Sequence, residues 1–235
     1  MGFLFVIIPV LLLAVGIAAF FAYLAEKKRR DELTELANGL GWSFQNIKNR
    51  NHRHQFPQFH CFKRGDQSRF AFNRLAGTWA ADASDEPIRL ECQAGDYRYQ
   101  TVSKKPDGKR STSTHRFSYL LVKLPFSTPA TLNVRPENLG DRMSAFMGYD
   151  DIDFESAEFS KKYHVTSSDK RFAYDLIHPR MMEFLMRGQP VRFELASGWI
   201  CLVSRSRRWR PEEFKQQLYW ATEFVGNWPR HRRDD

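Results

Sequence analysis

A run of acidic residues between positions 150 and 158 is the part of the chain whose residue types and spacing best suit metal chemistry. Alternate positions of a strand share a face, so Asp151, Asp153 and Glu155 would converge there as oxygen ligands for Mg²⁺ or Ca²⁺. The run lacks the glycine and the closing glutamate of a calcium-binding loop. Ile152 and Phe154 on the opposite face favour a simpler interpretation, a half-buried strand with a charged exterior.

Histidines and cysteines give no second metal signal. His52, His54, His60 and Cys61 are near one another in the chain, but an H-x-H pair with a distant H-C lacks a second paired motif. No nucleophile elbow, zinc-protease helix, phosphate loop, C-x-x-C or dinucleotide-binding motif is present. The sequence therefore predicts no cofactor and no metal, although the absence of motifs does not exclude an enzyme.

Basic residues form two groups that suit an anionic surface. The chain has a formal net charge of +9, and guanidinium groups beside an indole suit lipid headgroups or a phosphate backbone. A membrane-facing surface is predicted from the following residues: Lys27, Lys28, Arg29, Arg30, Arg205, Arg207, Arg208, Trp209 and Arg210. The alternative is a solvated loop with Trp209 as a hydrophobic cap. Nucleic acid is the less favoured partner.

The uncharged segment 3–24 predicts how these residues meet a membrane. Its 22 residues would span about 33 Å as a helix, against a hydrocarbon core of about 30 Å. A cleaved signal peptide would have positive charge before a shorter apolar stretch, whereas the cations at 27–30 follow it. The same asymmetry predicts a single pass through the membrane, with the N-terminus outside and the C-terminal domain in the cytoplasm.

The three cysteines also bear on the compartment in which the C-terminal domain lies. Cys61, Cys92 and Cys201 are odd in number, far apart and each in an apolar or strand-like context. This pattern predicts buried, reduced thiols without a disulfide.

The middle of the chain has strand patterns. Alternating apolar residues and turn signals predict short strands at 42–44, 60–62, 69–75, 87–102 and 115–124. A loop over 103–114 is expected to join the last two strands as a hairpin. Apolar residues occupy both faces of the last strand from Phe117 to Leu124, so this strand should lie in the middle of its sheet.

Helical patterns frame these strands. A juxtamembrane helix is predicted over 26–41; Ser168 or Asp169 caps a later helix that restarts at Pro179, and a last amphipathic helix begins at Pro211. The predicted fold class is α+β, an N-terminal transmembrane helix followed by an antiparallel-sheet-rich domain with two or three packed helices. The expected organisation is an anchor at 1–25, the juxtamembrane helix at 26–41, one domain at 42–228 and a basic tail at 229–235.

Part of this domain is similar to known sequences. The stretch from RPENLGDRM at 135–143 to HPRMMEFLM at 178–186, with ELTELANGLGW at 32–42 and the final helix, resembles a family of uncharacterised bacterial proteins. Members of that family have one N-terminal span and a single soluble domain. The resemblance implies a bacterial origin and this architecture; it implies no activity, cofactor or catalytic residue.

Two functions of different class remain open. The favoured hypothesis is a membrane-anchored binding or scaffolding module at the cytoplasmic face, whose partners are the bilayer, with its anionic headgroups, and an unknown protein. The alternative is a membrane-associated enzyme that combines the Asp151, Asp153 and Glu155 face with His164 or His178. The enzyme requires those side chains to meet in one pocket, whereas the binding module does not.

Overall fold

The N-terminal helix α1 (Gly2–Leu40) is uninterrupted in the computed structural model of the protein, which describes residues 2–80, 88–104, 108–137, 152–205 and 207–229. Its 39 residues form a rod of about 58 Å. The side chains at 8–24 are exposed, and an 18-residue window has a mean hydropathy of 2.4, so this half is long and apolar enough to cross a membrane. The other half enters the domain core through Leu33, Leu36 and Ala37. The segments expected as anchor and juxtamembrane helix therefore form one continuous rod.

Eight strands of the described chain form one antiparallel sheet. They are β1 (Ser43–Gln45), β2 (Gln67–Ala80), β3 (Arg89–Lys104), β4 (Arg110–Lys123), β5 (Leu132–Pro136), β6 (Tyr163–Ser167), β7 (Arg192–Ala196) and β8 (Trp199–Val203). Their order is β1-β2-β3-β4-β8-β7-β5-β6, and all neighbouring pairs are antiparallel. The α+β class is confirmed, and β4 lies inside the sheet as its two apolar faces predict.

Short helices and one long helix pack on this sheet. They are α2 (His52–Gln55), the 3-10 helix η1 (His60–Lys63), α3 (Ala157–Lys162), α4 (Lys170–Leu176), α5 (Pro179–Met186) and α6 (Pro211–Gly226). Asp169 caps α4 by accepting from the backbone amides of Arg171 and Phe172. Pro179 and Pro211 stand at the first positions of α5 and α6, where a missing N–H costs nothing. These start signals were correctly predicted by the sequence.

Two apolar clusters lie on opposite faces of the sheet. The larger cluster joins Leu120 and Val122 of β4 to α1 and to the helices α4, α5 and α6. The smaller cluster joins Phe117, Tyr119 and Leu121 of the same strand to Phe56, which follows α2, and to η1. Because side chains alternate along a strand, one apolar run covers both faces, which is why β4 is buried on both sides.

Strand register defines two ends of the sheet relative to α1. Glu26 of α1 contacts Arg116 of β4, and Arg29 contacts Ser118. Moving along α1 toward its apolar half therefore moves along β4 toward Arg110. Through the antiparallel pairings, the same end of the sheet, which we term the anchor-side end, carries Arg98, Pro136, Tyr163, Arg192 and Val203. The opposite, distal end carries Lys123, Leu132, Ser167, Ala196 and Trp199.

Three local predictions differ from the structure. The segment 60–62 is not a strand but part of η1, because the backbone amides of His60 and Cys61 donate to the Glu194 carboxylate instead of a neighbouring strand. Residues 152–155 are also not a strand, since the chain turns there into the Ser156 cap of α3. The expected loop over 103–114 is shorter, because β3 and β4 remain paired as far as Lys104 and Arg110.

Candidate functional site

A buried ion pair fastens α1 to the sheet. Arg29 Nε and Nη2 donate to the two carboxylate oxygens of Asp96 at 3.0 and 2.8 Å, and the Asp96 side chain is fully buried. Asn73 and Ser118 donate further hydrogen bonds to this carboxylate at 3.0 and 2.7 Å, and Arg29 also donates to the Trp209 carbonyl. Buried charges need such complete hydrogen bonding to offset their desolvation. The network holds α1 in one orientation relative to the sheet.

A bulge in β2 supplies one member of this network. The register of β2 against β3 shifts between Phe72 and Leu75, and Asn73 within the bulge has a φ of +48°. Asparagine tolerates this left-handed conformation better than most residues, and a bulge re-aims a side chain. The Asn73 amide is thereby turned toward Asp96, where its Nδ2 donates.

A second tie lies nearly one helical turn closer to the apolar half of α1. The Glu26 carboxylate accepts two hydrogen bonds from Arg208 at 2.8 and 2.9 Å, and Arg116 lies 3.5 Å away. Partial burial alone would raise the pKa of Glu26, but the hydrogen bonds and charges of Arg208, with the charges of Arg116 and Arg29, hold that pKa below its usual value. Glu26 therefore stays ionised at neutral pH among three guanidinium groups.

The segment between β8 and α6 mixes buried and exposed residues. Trp209 is buried, and its ring packs edge-on against Phe214 at a centroid distance of 5.3 Å. Arg207 and Arg210 both reach Glu213 in the first turn of α6. The hydrogen bond from Arg207 is the main reason that the pKa of Glu213 falls to about 2. The segment is thus locked to the start of α6.

The fold divides the predicted membrane surface. Arg29 and Trp209 are buried, because an ion pair to Asp96 encloses Arg29 and packing on Phe214 encloses Trp209. Arg30 and Arg208 are half-buried, and the exposed members are Lys27, Lys28, Arg205, Arg207 and Arg210. The part of the predicted tail at 230–235 lies outside the described residues.

Four arginines surround an open recess of about 380 Å³ beside the Glu26 tie. Its lining consists of Arg98, Thr114, Arg116, Arg207 and Arg208, and we term it the arginine recess. The Arg98 guanidinium lies 5.5 Å from the ring centroid of Phe70, and its Nε is buried without a hydrogen-bond partner. Convergent guanidinium groups of this kind suit phosphate or carboxylate oxygens, which they bind through paired N–H donors.

A larger cleft of about 620 Å³ shares Arg207 with the arginine recess. Its charged lining is mainly basic, and consists of Lys161, Lys162, Arg192, Arg205 and Arg207 with the acids Glu158 and Glu213. Pro136 and Val203 also line it, and both mark the anchor-side end of the sheet. The two cavities therefore gather positive charge at the end of the domain from which the apolar half of α1 projects.

Comparison with known proteins reveals a likeness of fold. The crystal structure of the mycobacterial trehalose monomycolate transport factor A, TtfA, superposes with a TM-score of 0.54 at 11% sequence identity. The likeness covers 84% of this chain and 93% of that one. This chain has a TtfA-like fold. No family model matches the chain, and no curated protein matches it.

The described members of the acidic face proposed from the sequence lie on the exterior of the domain. Asp153 and Glu155 are exposed while Ile152 and Phe154 are buried, which is the pattern of a charged exterior over an apolar interior. Asp151 lies outside the described residues. Within the described part of the chain, no three His, Cys, Asp or Glu side chains are grouped so as to hold a metal ion.

His178 and His164, which the enzyme hypothesis combines with that acidic face, occupy a helix cap and a strand position. His178 caps α5, where its Nδ1 accepts from the Met181 amide at 3.4 Å, and its Nε2 contacts the Asn227 carbonyl at 3.1 Å. His164 is half-buried on β6, opposite Arg135 of β5. The enzyme hypothesis therefore gains no convergent constellation from the described residues.

Sequence reasoning missed a buried cluster on the other face of the sheet. His52 lies among Phe56, Phe62 and Tyr119, with ring centroids 4.6 to 5.1 Å away, and burial lowers its pKa to about 3. The three cysteines are free and buried, as the sequence predicts. Sγ of Cys61 lies 3.7 Å from Sγ of Cys201, and burial raises the pKa of both thiols. The H-x-H motif gave no signal of this role.

Proposed function

We propose that this chain is a membrane-tethered binding or scaffolding module whose domain is mounted rigidly on the membrane surface by α1. The observation that carries the proposal is the continuity of α1, which passes from an exposed apolar segment into the domain core without a linker. The ties at Glu26 and Arg29 fix the domain to that rod. A protein mounted in this way presents the same surface to the lipid at all times.

The positions of the ties set the height of the domain above the bilayer. Glu26 follows the last residue of the apolar segment, Leu24, by two positions, which is about 3 Å along a helix. A headgroup layer is roughly 5–8 Å thick on each side of the hydrocarbon core. Arg116 and Arg208, which contact Glu26, are therefore at headgroup level when the apolar segment spans the membrane.

The hairpin of β3 and β4 supports the same arrangement. Six residues of paired strand extend past Arg116 to Arg110, which is about 20 Å. This extension includes Ser111, Thr112 and Ser113 and is polar and basic, so it does not enter hydrocarbon. We infer that it runs obliquely along the headgroup layer, with its basic residues attracted to anionic lipid.

The side of the membrane follows from charge. Lys27, Lys28, Arg29 and Arg30 come directly after the apolar segment. The insertion machinery reads these cations before the domain folds, so the later pairing of Arg29 does not remove its contribution. We propose a single pass through a bacterial inner membrane, with the N-terminus outside and the domain in the cytoplasm.

The fold likeness bears on the class of function. TtfA is described as a transport factor for trehalose monomycolate. A binding or scaffolding role with lipid and protein partners is compatible with that description, and the apolar helix and basic anchor-side end of this chain support such a role independently.

Two measurements on the full-length chain test the proposal. A reporter that is active only in the cytoplasm, fused after Asp235, should give signal, and periplasmic activity at that position would overturn the orientation. In liposomes, a fluorophore on Ser113→Cys should be quenched by headgroup nitroxides, whereas one on Arg171→Cys at the distal end should not. Equal fluorescence from the two labels would show that the domain does not rest on the membrane by its anchor-side end.

A further inference from the structure

We propose that the arginine recess binds the phosphate group of an anionic membrane lipid. The inference deepens the proposed function and rests on it, because it needs the anchor-side end of the domain to lie at the leaflet. It assigns a specific ligand chemistry to a surface that the proposed function leaves general. The ligand is a lipid of the leaflet that α1 enters, with its phosphate between Arg98 and Arg116.

Positive charge exceeds negative charge around the recess. Three carboxylates of the described chain are nearby, and each already contacts an arginine. Asp96 pairs with Arg29 and also lies 3.7 Å from Arg208, while Glu26 pairs with Arg208 and Glu213 with Arg207. Among the described residues, Arg98 has no carboxylate partner, and Arg116 has only the longer 3.5 Å contact with Glu26, which Arg208 already engages. Two guanidinium groups therefore remain to hold an anion.

These two arginines lie directly opposite each other. Arg98 on β3 and Arg116 on β4 are register partners in the antiparallel pair. Like charges at opposed positions of a sheet destabilise it, and an anion between them would convert that repulsion into two attractions. Thr114, two residues from Arg116 on the same face, adds a hydroxyl donor to the lining.

The surroundings of Arg98 indicate that a hydrogen-bond acceptor is missing from the recess. Its Nε is buried and has no hydrogen-bond partner in the described part of the chain, although buried guanidinium donors are normally satisfied. Its guanidinium is held over the Phe70 ring at 5.5 Å, which fixes its plane without using its N–H groups. A phosphate oxygen in the recess would supply acceptors for this preorganised fork.

The height of the recess identifies the source of the phosphate. Arg116 and Arg208 contact Glu26, only about 3 Å along α1 from the end of the apolar segment. Lipid phosphates lie in that layer at far higher local concentration than soluble phosphate esters do. Basic pockets next to a membrane-spanning helix are known to hold anionic headgroups.

Native mass spectrometry of the full-length protein in neutral detergent tests the assignment. Phosphatidylglycerol, phosphatidylcholine and inorganic phosphate are titrated separately. The wild-type chain should retain phosphatidylglycerol at least about tenfold more strongly than phosphatidylcholine, because charge-assisted hydrogen bonds form with the accessible phosphate. The double variant Arg98→Gln with Arg116→Gln should bind the two lipids alike.

A charge-matched control separates the recess from net charge. Arg171→Gln with Arg180→Gln removes two exposed arginines of α4 and α5, near the distal end, and should keep the wild-type preference. Arg98→Lys with Arg116→Lys keeps the charge but loses the fork, so it should give an intermediate preference. Thermal unfolding of each variant verifies that the fold is intact, and the lysine variant serves if the glutamine variant unfolds.

The outcomes distinguish this inference from the proposed function. Headgroup quenching at Ser113→Cys together with equal lipid preference in wild type and the double glutamine variant would overturn the recess assignment and leave the docked domain standing. Full displacement of phosphatidylglycerol by millimolar inorganic phosphate would overturn the assignment to lipid and make the recess a site for a soluble phosphate. If the charge-matched control also lost its preference for phosphatidylglycerol, that preference would depend on net charge alone, and the recess assignment would again be overturned.

Discussion

Arg29 in α1 and Asp96 in β3 form a buried, bidentate ion pair between residues 67 positions apart in the chain. The pair joins the helix that carries the apolar segment to the middle of the sheet. Burying a charge pair brings little net stability, since desolvation offsets the attraction, but it strongly disfavours any arrangement in which one partner is missing. We infer that the main consequence of the pair is a fixed geometry between rod and domain.

Removal of Arg29 alone should therefore be costly. Arg29→Met removes the bidentate partner of the buried Asp96 carboxylate and leaves it with Asn73, Ser118 and the longer 3.7 Å contact of Arg208. We expect the free energy of unfolding to fall by about 3–5 kcal/mol. Lys28→Met is the matched control, because the Lys28 side chain is 78% exposed, and it should change stability by less than about 0.5 kcal/mol. Denaturant unfolding of the detergent-solubilised chain measures both, and equal midpoints would show that the pair is dispensable.

The same pair determines where a soluble fragment can begin. The sequence pattern places the domain after position 41, with a helix before it, and a fragment starting near Asp31 would contain every predicted core element. Such a fragment loses Glu26 and Arg29, so Asp96 loses its bidentate partner and keeps only the longer 3.7 Å contact with Arg208. We expect a fragment over 25–229 to melt cooperatively and one over 31–229 to melt at least about 10 °C lower or without a cooperative transition. Identical melting curves would show that residues 25–30 of α1 do not contribute to the stability of the domain.

Elements with local signals were predictable from the sequence, and long-range polar contacts were not. The starts of three helices could be predicted from Asp169, Pro179 and Pro211, because capping and proline geometry depend on a few adjacent residues. The prediction of a strand at 60–62 was wrong, because η1 is stabilised by Glu194, some 130 residues away in the chain.

The candidate site has the same limitation. Arg29 is the third of four consecutive cations, and it lies four residues before Leu33, so helical spacing alone places it on the buried face of α1. Its partner could not be identified from the sequence, because the Asp96 carboxylate is 67 positions away. An arginine cluster built from two strands and a loop requires strand register, which a single sequence specifies weakly.

Trp209 was expected near the headgroups, and its burial makes a contrary prediction. Trp209→Ala should lower the free energy of unfolding by about 3–5 kcal/mol, because it removes a large core side chain that packs on Phe214. Its effect on lipid binding should follow only from unfolding. Ile47→Ala is the control, since Ile47 is 77% exposed, and its effect should stay within about 0.5 kcal/mol. Loss of lipid binding by a stably folded Trp209→Ala chain would restore the surface role.

His52 predicts how stability depends on pH. Burial lowers its pKa to about 3 in the folded chain, with a further lowering by the charge of Arg74. In the unfolded chain its pKa returns to about 6.5. Between these values the unfolded state binds a proton that the folded state does not, so stability falls as pH drops from about 6.5 toward 3. At pH 5 the loss relative to pH 7 should be about 2 kcal/mol.

The window from pH 5 to 7 isolates this histidine from the acids, because carboxylates such as Glu213, with a pKa of about 2, titrate lower. His52→Leu should flatten the dependence of unfolding free energy on pH. Some slope should remain from His60, which is half-buried and whose pKa burial lowers against the opposing charge of Glu194. His54→Leu is the control, since His54 is exposed, and it should retain the wild-type slope. An undiminished slope in His52→Leu would mean that another group takes up the proton on unfolding.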